Sequence, residues 1–304
     1  MNIFLVGGTG YIGKEVLRQL IVQKHNVTIL LRRESENKLA EEIKKNISLV
    51  YGEVEKPETY QTSLKNCTAI INLLGIIREF PHKGITFEKI HFEATKILVD
   101  EAKKVGVKRF LQMSALGVKP NAKTLYQQTK YRAEEYIKQN DLQWTIFRPS
   151  VVFGNEKSVE KNFLNVIKDL HSLMPFFVPI VGNGKYRFQP IAVHNLAEGI
   201  VASLSTEKSI GVTYDVAGPH RYSFNQLVNI VGSAIRKKKI QFHQPMFMMK
   251  ILASLFGRYE FFPISKDQIT MLEEENITEN WKKFFDDFSI TPKELEKSIM
   301  ADFS

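Results

Sequence analysis

Cysteine is nearly absent. Cys67 stands alone among 304 residues, which excludes an internal disulfide and any zinc site built on cysteines. A lone thiol also suits a reducing compartment. The seven histidines are scattered without metal-ligand spacing, so no metal is expected. Met246–Phe256 is nearly all apolar, yet it is about half the ~20 residues that a membrane-spanning helix needs. There is no internal repeat and no low-complexity tract. The net charge of +9 raises the question of nucleic acid, but the lysines are dispersed and Arg236-Lys237-Lys238-Lys239 is the only tight basic run. That run reads as a solvated face or a helix end. The charge therefore supports a general attraction to anionic ligands, and no nucleic-acid partner is expected. The first strand begins at Asn2, which leaves no room for a signal or transit peptide and points to the cytoplasm.

What the chain does carry begins at once. Asn2–Val6 is a short apolar strand that runs straight into Gly7-Gly-Thr-Gly-Tyr-Ile-Gly13. A strand that bends directly into a helix needs a residue without Cβ at the bend. A second gap admits a pyrophosphate to the backbone, and a third lets the helix pack close to the strand. The helix amino terminus then offers unpaired N–H groups and the positive end of its dipole. Val16, Leu17, Leu20 and Ile21 recur at helical spacing, so the glycines have the context that a dinucleotide site requires.

Strand and helix signals then alternate. Val27–Leu31, Ile47–Val50, Ala69–Leu74, Arg109–Met113 and Trp144–Phe147 read as strands, with helices over Thr86–Val105 and from Leu125 to about Gln139. Hydrophobic content of 43% is ordinary for a globular protein. The pattern predicts an α/β fold with a Rossmann-type, doubly wound parallel sheet over residues 1–154. Residues 155–304 are expected to form a smaller, interleaved α/β capping lobe, with strands at Pro190–Val193 and Thr213–Val216 rejoining the sheet. The first of these leads into a helix over Asn195–Leu204. Such a lobe would cap the carboxyl ends of the strands, where open α/β sheets bind ligands. In the stretch 246–258, Lys250, Ser254 and Arg258 make a narrow polar stripe on an apolar helix. The stretch reads as a buried lid or interface helix, with contact to a protein complex or a membrane surface as the alternative.

A second signal is Tyr126-Gln-Gln-Thr-Lys130. Residues four apart share a helix face, and an ammonium beside a phenol lowers its pKa and makes it a usable acid or base. Ser114 falls just past the Arg109–Met113 strand, where its hydroxyl can meet a substrate oxygen beside the tyrosine.

At these residues the chain resembles the short-chain dehydrogenase/reductase superfamily. Gly7–Gly13 matches its glycine motif, and Ser114, Tyr126 and Lys130 match its catalytic trio. It is most similar to the atypical, epimerase/dehydratase-like group around the nucleotide-binding accessory subunit of respiratory complex I and its bacterial relatives. That closer likeness lies in Met113–Gly117, Tyr126–Glu135, Phe147–Gly154, Tyr214–Pro219, Phe262–Ile269 and Leu272–Ile277. The resemblance implies that Gly7, Thr9, Gly10, Tyr11, Ile12 and Gly13 hold a dinucleotide, together with Val54, Leu74 and Gly75. It implies that Lys130 also holds the nicotinamide ribose, that Tyr126 moves a proton, and that Arg148, Pro149, Ser150 and Val152 line the nicotinamide side. Two departures stand out. His91 replaces an asparagine common in extended members, either as a proton-relay group or as a structural histidine, and the fourth strand ends Asn72-Leu-Leu-Gly75 instead of in Ala-Gly.

Cofactor preference is written at the end of the second strand, where Arg32-Arg33 replaces the acidic residue that would bind ribose hydroxyls. Guanidinium forks suit a 2′-phosphate. NADP(H) is therefore favoured and NAD(H) is the alternative, unless these arginines are ordinary solvent-facing residues. Glu53 matches the superfamily's acidic contact to adenine, or is a surface glutamate. His194 and Asn195 lie where nucleotide-sugar enzymes carry an acidic residue, although helix capping would explain Asn195. The leading expectation is an NAD(P)(H)-dependent oxidoreductase acting on an apolar carbonyl- or quinone-like small molecule. A nucleotide-binding accessory or assembly subunit of a complex I-like assembly, peripheral at the inner face of a membrane, is the second. The third is a nucleotide-sugar epimerase or dehydratase, in which Arg187 and Arg221 would meet a diphosphate.

Overall fold

Short runs of branched apolar residues make the strands, and the helical crossovers between them set the strands parallel and cover both faces of the sheet. The computed structural model describes residues 1–154, 162–257, 259 and 264–303. Strands β1 (Asn2–Val6), β2 (Asn26–Leu31), β3 (Ile47–Tyr51), β4 (Ala69–Asn72), β5 (Arg109–Met113), β6 (Gln143–Pro149) and β7 (Val212–Val216) form one sheet in the order β7-β6-β5-β4-β1-β2-β3. Every pairing is parallel, with Ile3 facing Val27 on one side and Ala69 on the other. This is the doubly wound sheet that the alternation predicts.

Parallel strands need crossovers, and helices supply them on both faces. Helix α1 spans Tyr11–Val22, α2 Ala94–Val105, α3 Leu125–Lys138 and α4 Val193–Ser203. After them come α5 (Met246–Phe256), α6 (Lys266–Leu272) and α7 (Trp281–Phe288). One core joins Leu5, Ile29 and Ile71 to Leu17 and Leu20 of α1, Leu196 of α4 and Phe284 of α7. The opposite face joins Phe4, Ile70 and Phe110 to Leu98 of α2 and Ile137 of α3. A third core gathers Phe153 with Leu164, Val178, Phe188 and Leu227.

Several expectations shift. The helix expected over 86–105 opens with a π-helical turn, Glu88–Glu93, which buries His91. Of the two late strands, Val212–Val216 joins the sheet beside β6. Ile191–Ala192 does not; it pairs with Val152–Phe153 in a separate ladder, because two residues suffice to close that corner but not to extend the sheet. The helix at 246–256 is not buried. Only Met249 and Ala253 are, packed on Ile269 of α6. Arg258 of its polar stripe lies outside the described residues, as do Asn155, Phe262 and Pro263. Among the described residues no helix is long and apolar enough to cross a membrane.

Helix α7 closes the sheet on its β7 side. Phe284 is fully buried and meets Phe147 and Tyr214 edge-on at 6.3 and 6.2 Å. Tyr214 in turn donates to Asp287 at 2.8 Å. Truncating a buried phenylalanine costs about 3–5 kcal/mol, so Phe284→Ala is expected to lower stability by that amount in urea unfolding, with an unchanged slope. A loss below about 1 kcal/mol would mean that α7 does not belong to the sheet's cooperative unit.

Candidate active site

Strand order reverses between β1 and β4, and that switch point is where a doubly wound sheet opens a ligand crevice. Gly7 follows β1 with φ +83°, and a Cβ there would lie 2.9 Å from the Leu73 carbonyl carbon after β4. A Cβ on Gly13 would lie 2.2 Å from the Gly7 carbonyl oxygen. The turn therefore brings α1 against the strand at a distance only glycine allows. Gly10 caps α1 with no side chain over the helix end. The Gly10 amide is used within the turn, donating to the Gly7 carbonyl at 3.2 Å, and the helix ladder opens with Lys14 N–H to Gly10 C=O at 2.9 Å, so the Ile12 and Gly13 amides have no earlier helix carbonyl to bond. That cradle fits a pyrophosphate.

Around it, Tyr11 is structural. Its hydroxyl donates to the Gly154 carbonyl at 2.5 Å and accepts from Asn162 at 3.2 Å. Ile12 packs on the first core, and Thr9 is partly exposed in the turn. Arg32 and Arg33 are exposed at the end of β2. Arg32 pairs with Glu34 at 3.4 Å, and the Arg33 guanidinium lies 4.6 Å over the Tyr51 ring. Glu53 is ion-paired with Lys56 at 2.9 Å, which holds its carboxyl below the ordinary range. Val54 is buried in the second core, and its carbonyl accepts from Tyr60 at 3.0 Å. After β4, the Leu74 amide donates to Asn72 Oδ1 at 3.1 Å. Asn72 is fully buried and also donates to Thr95 and Gln112. This polar knot shapes the turn that carries Leu74 and Gly75.

Tyr126 and Lys130 lie one turn apart on α3, whose N-cap Thr124 accepts from Gln127. The buried Lys130 ammonium sits 5.6 Å from the Tyr126 ring centroid, 3.5 Å from the Met113 carbonyl, and 3.4 Å from where a Cβ of Gly75 would be. Lys130 thus links Tyr126 to Gly75 after β4 and to the end of β5, which Ser114 follows. The electrostatics differ from expectation. Burial pushes the Tyr126 phenol up, and Lys130 contributes no opposing shift. Burial also draws Lys130 down to about 8, against the pull of Glu134. Ser114 is buried and donates to Glu134 at 2.5 Å.

Glu134 is the residue that sequence reasoning passes over. It is wholly buried, and Arg148 grips it with Nε and Nη2 at 2.9 and 2.5 Å. The signal was available, since Glu134 falls four residues past Lys130 on one helix face. Arg148, expected to line the nicotinamide side, is committed to this carboxylate. Pro149 accepts from the Leu116 amide at 2.9 Å, and Val152 pairs with Ile191. Ser150 donates to Asn276 at 2.5 Å.

His91 stacks on Phe87 and meets Tyr126 edge-on at 5.2 Å. The Ile76 amide donates to its Nε2 at 3.1 Å, which leaves Nδ1 facing Thr129 at 3.1 Å. Burial first, then the Lys130 charge, depresses its pKa to about 2. A neutral ring with both nitrogens occupied is a structural histidine. Arg187 and Arg221 are engaged by Glu275 at 2.7 Å and Glu279 at 2.6 Å. His194 bonds Glu15 at 2.9 Å. Asn195 does not cap its helix, whose N-cap is Ala192; it binds the Thr291 carbonyl at 3.0 Å and the Lys293 amide at 2.8 Å.

The fold and this crevice define a Rossmann-type dinucleotide-binding protein. Residues 7–171 match the model of the NAD(P)H-binding family, and the chain belongs to that family. It is 24% identical to the mitochondrial NADH-ubiquinone oxidoreductase 40 kDa subunit of Neurospora crassa, over 95% of this chain and 75% of that protein. It is 23% identical to the photosystem II assembly factor Ycf39 of Trieres chinensis, over 100% of this chain and 89% of that one. Among solved structures, a UDP-glucuronic acid 4-epimerase from Bacillus cereus, in complex with UDP-glucuronic acid and NAD, superposes with a TM-score of 0.76 at 15% identity, covering 100% of this chain and 98% of that one. A UDP-glucose 4-epimerase from Thermotoga maritima gives 0.75 at 17%, covering 100% and 97%. At these identities the structural likeness describes the fold.

The depressed Lys130 makes a prediction about stability. Between about pH 8 and 10.5 the unfolded lysine is protonated and the buried one is not, so the folded state binds fewer protons and this lysine's contribution rises with pH. Below pH 8 its burial costs stability. Lys130→Met is therefore expected to be more stable than wild type at pH 7, with the gap closing as pH climbs through that window. Denaturant midpoints measured across pH test this; a gap independent of pH would contradict it.

Proposed function

We propose that the chain binds a nicotinamide dinucleotide, in preference the 2′-phosphorylated form, and reduces an apolar carbonyl- or quinone-like molecule beside it. The observation that supports this reading is the buried Lys130 ammonium, which stands between the Tyr126 ring, Gly75 after β4 and the Met113 carbonyl at the end of β5, the strand that Ser114 follows. The bound nicotinamide would supply hydride exchange. The Gly7–Gly13 turn would take the pyrophosphate, and Arg32 and Arg33 the 2′-phosphate. Glu53 would border the adenine end, and Leu74, Gly75, Pro149 and Val152 the ring end.

The proton chemistry follows from burial. Tyr126 keeps its proton at neutral pH, which suits donation to a substrate oxygen. Lys130, near 8, can return a proton to it around neutrality. Ser114 has committed its own proton to Glu134, so its oxygen accepts from the hydroxyl that reduction creates.

The same Ser114–Glu134 bond supports a second reading. A serine held by a buried carboxylate also suits a site that binds cofactor without turnover, and the relatives include a complex I subunit and a photosystem assembly factor. In this reading the chain is a nucleotide-binding accessory or assembly subunit at the periphery of a membrane complex, and the cofactor stabilises its fold by mass action.

Titration with NADPH and NADH, followed by nicotinamide fluorescence, tests the shared site. Replacing Arg32 and Arg33 by alanine is expected to weaken NADPH by about ten- to a hundredfold, the worth of charge-assisted bonds, and to spare NADH. Tyr126→Phe is expected to abolish NADPH-dependent reduction across a panel of quinones and ketones while leaving NADPH affinity intact. Turnover that survives Tyr126→Phe overturns the proton role; tight binding with no turnover on any substrate selects the accessory reading.

A further inference from the structure

Away from the crevice, Phe177–Val181 and Ile240–Gln244 form a parallel two-stranded ladder. Phe177 lies opposite Ile240, and the Phe177 and Phe242 rings stand 6.5 Å apart. All three side chains are exposed, as is the neighbouring Phe176 at 72%. After a single residue, Pro245, α5 begins. Its outward stripe of Phe247, Ile251 and Leu255, spaced four apart, is 69%, 55% and 59% exposed. Large apolar side chains exposed singly are ordinary, but a concentration of this kind marks an interaction surface.

The segments that build it carry charge of one sign. No aspartate or glutamate occurs between Asp169 and Glu198 or between Asp215 and Glu260, the stretches that supply both strands and α5. Arg236, Lys237 and Lys238, just before Ile240, are exposed, and no carboxylate among the described residues pairs with them. Lys239, by contrast, is used inside the fold, donating to the His171 and Met174 carbonyls. Lys250 is bound to Glu273 at 2.8 Å.

We propose that this face docks on an anionic lipid bilayer, with α5 lying in the interface and Arg236, Lys237 and Lys238 on the headgroup phosphates. Eleven residues span about 16 Å, half a hydrocarbon core, so α5 can lie in a membrane surface but not cross it. An uncompensated basic cluster beside exposed phenylalanines matches anionic headgroups over an apolar interior. The proposal does not rest on the nucleotide site.

Co-sedimentation of the full chain with vesicles of phosphatidylcholine alone, and of equimolar phosphatidylcholine and phosphatidylglycerol, tests it. Binding is expected to the mixed vesicles and to be at least about tenfold weaker to phosphatidylcholine. Serine at Arg236, Lys237 and Lys238 together is expected to lower binding to the mixed vesicles by about a hundredfold, and serine at Phe247, Ile251 and Leu255 together to abolish it. Both variants should keep the wild-type unfolding temperature and NADPH titration, which shows that they fold. Equal binding to both vesicle types, or wild-type binding by either variant, overturns the proposal. So does a dimer by light scattering with no vesicle binding, which would assign the face to a second copy of the chain. Failure of NADPH to bind leaves the vesicle result unaffected and bears only on the crevice.

Discussion

A carboxylate with no access to water decides where α3 sits. Glu134 is buried on α3, and a charge in that position is tolerable only when fully partnered. Arg148 at the end of β6 supplies two hydrogen bonds, and Ser114 after β5 supplies a third. The helix is thereby pinned to the tips of two adjacent strands. Lys130 and Tyr126, one and two turns earlier, follow from that anchorage: their place is set by the helix pitch once Glu134 is fixed. Removing one partner would leave a buried charge uncompensated at a cost of about 3–5 kcal/mol. The constraint that holds the site therefore also holds the fold.

The carboxy-terminal segment completes the other wall. Asn276 accepts from Ser150 and from the Val151 amide, so it replaces solvent at the end of β6. Asn195 holds the chain near Thr291, and Phe284 inserts between α4 and the sheet. Asp267, at the start of α6, accepts from the Tyr126 amide at 3.4 Å. Late residues thus surround a crevice whose floor is built entirely from early ones.

This division explains what could be read from the sequence. The sheet was legible because parallel strands buried on both faces are continuous apolar runs, and the glycine turn because each position has a steric reason that Gly7 and Gly13 display. Tyr126 and Lys130 were legible because four residues make one helical turn. Long-range pairing was not. Nothing local to Arg187 or Arg221 names Glu275 or Glu279, and nothing near Ser150 names Asn276. Ile191–Ala192 read as a sheet strand because two apolar residues carry no topological information. The expectation that Lys130 would acidify Tyr126 failed for a physical reason: the ammonium lies toward the ring, and desolvation acts on both groups. An apolar helix reads as buried by default, so the exposure of Phe247, Ile251 and Leu255 became visible only with α5's neighbours in place.

Arg78 joins two of these regions. It donates to the carbonyls of Gly257 and Tyr259, just beyond the carboxyl end of α5, at 2.7 and 2.5 Å. Two residues earlier on the same loop, Ile76 holds the His91 imidazole that abuts Tyr126. The outermost apolar helix and the innermost aromatic pair are thus fastened to one short length of backbone. A guanidinium bond tolerates a few tenths of an ångström before it weakens. The chain after α5 cannot move away from this loop without giving up both Arg78 bonds, and the loop in turn holds the ring that abuts the tyrosine.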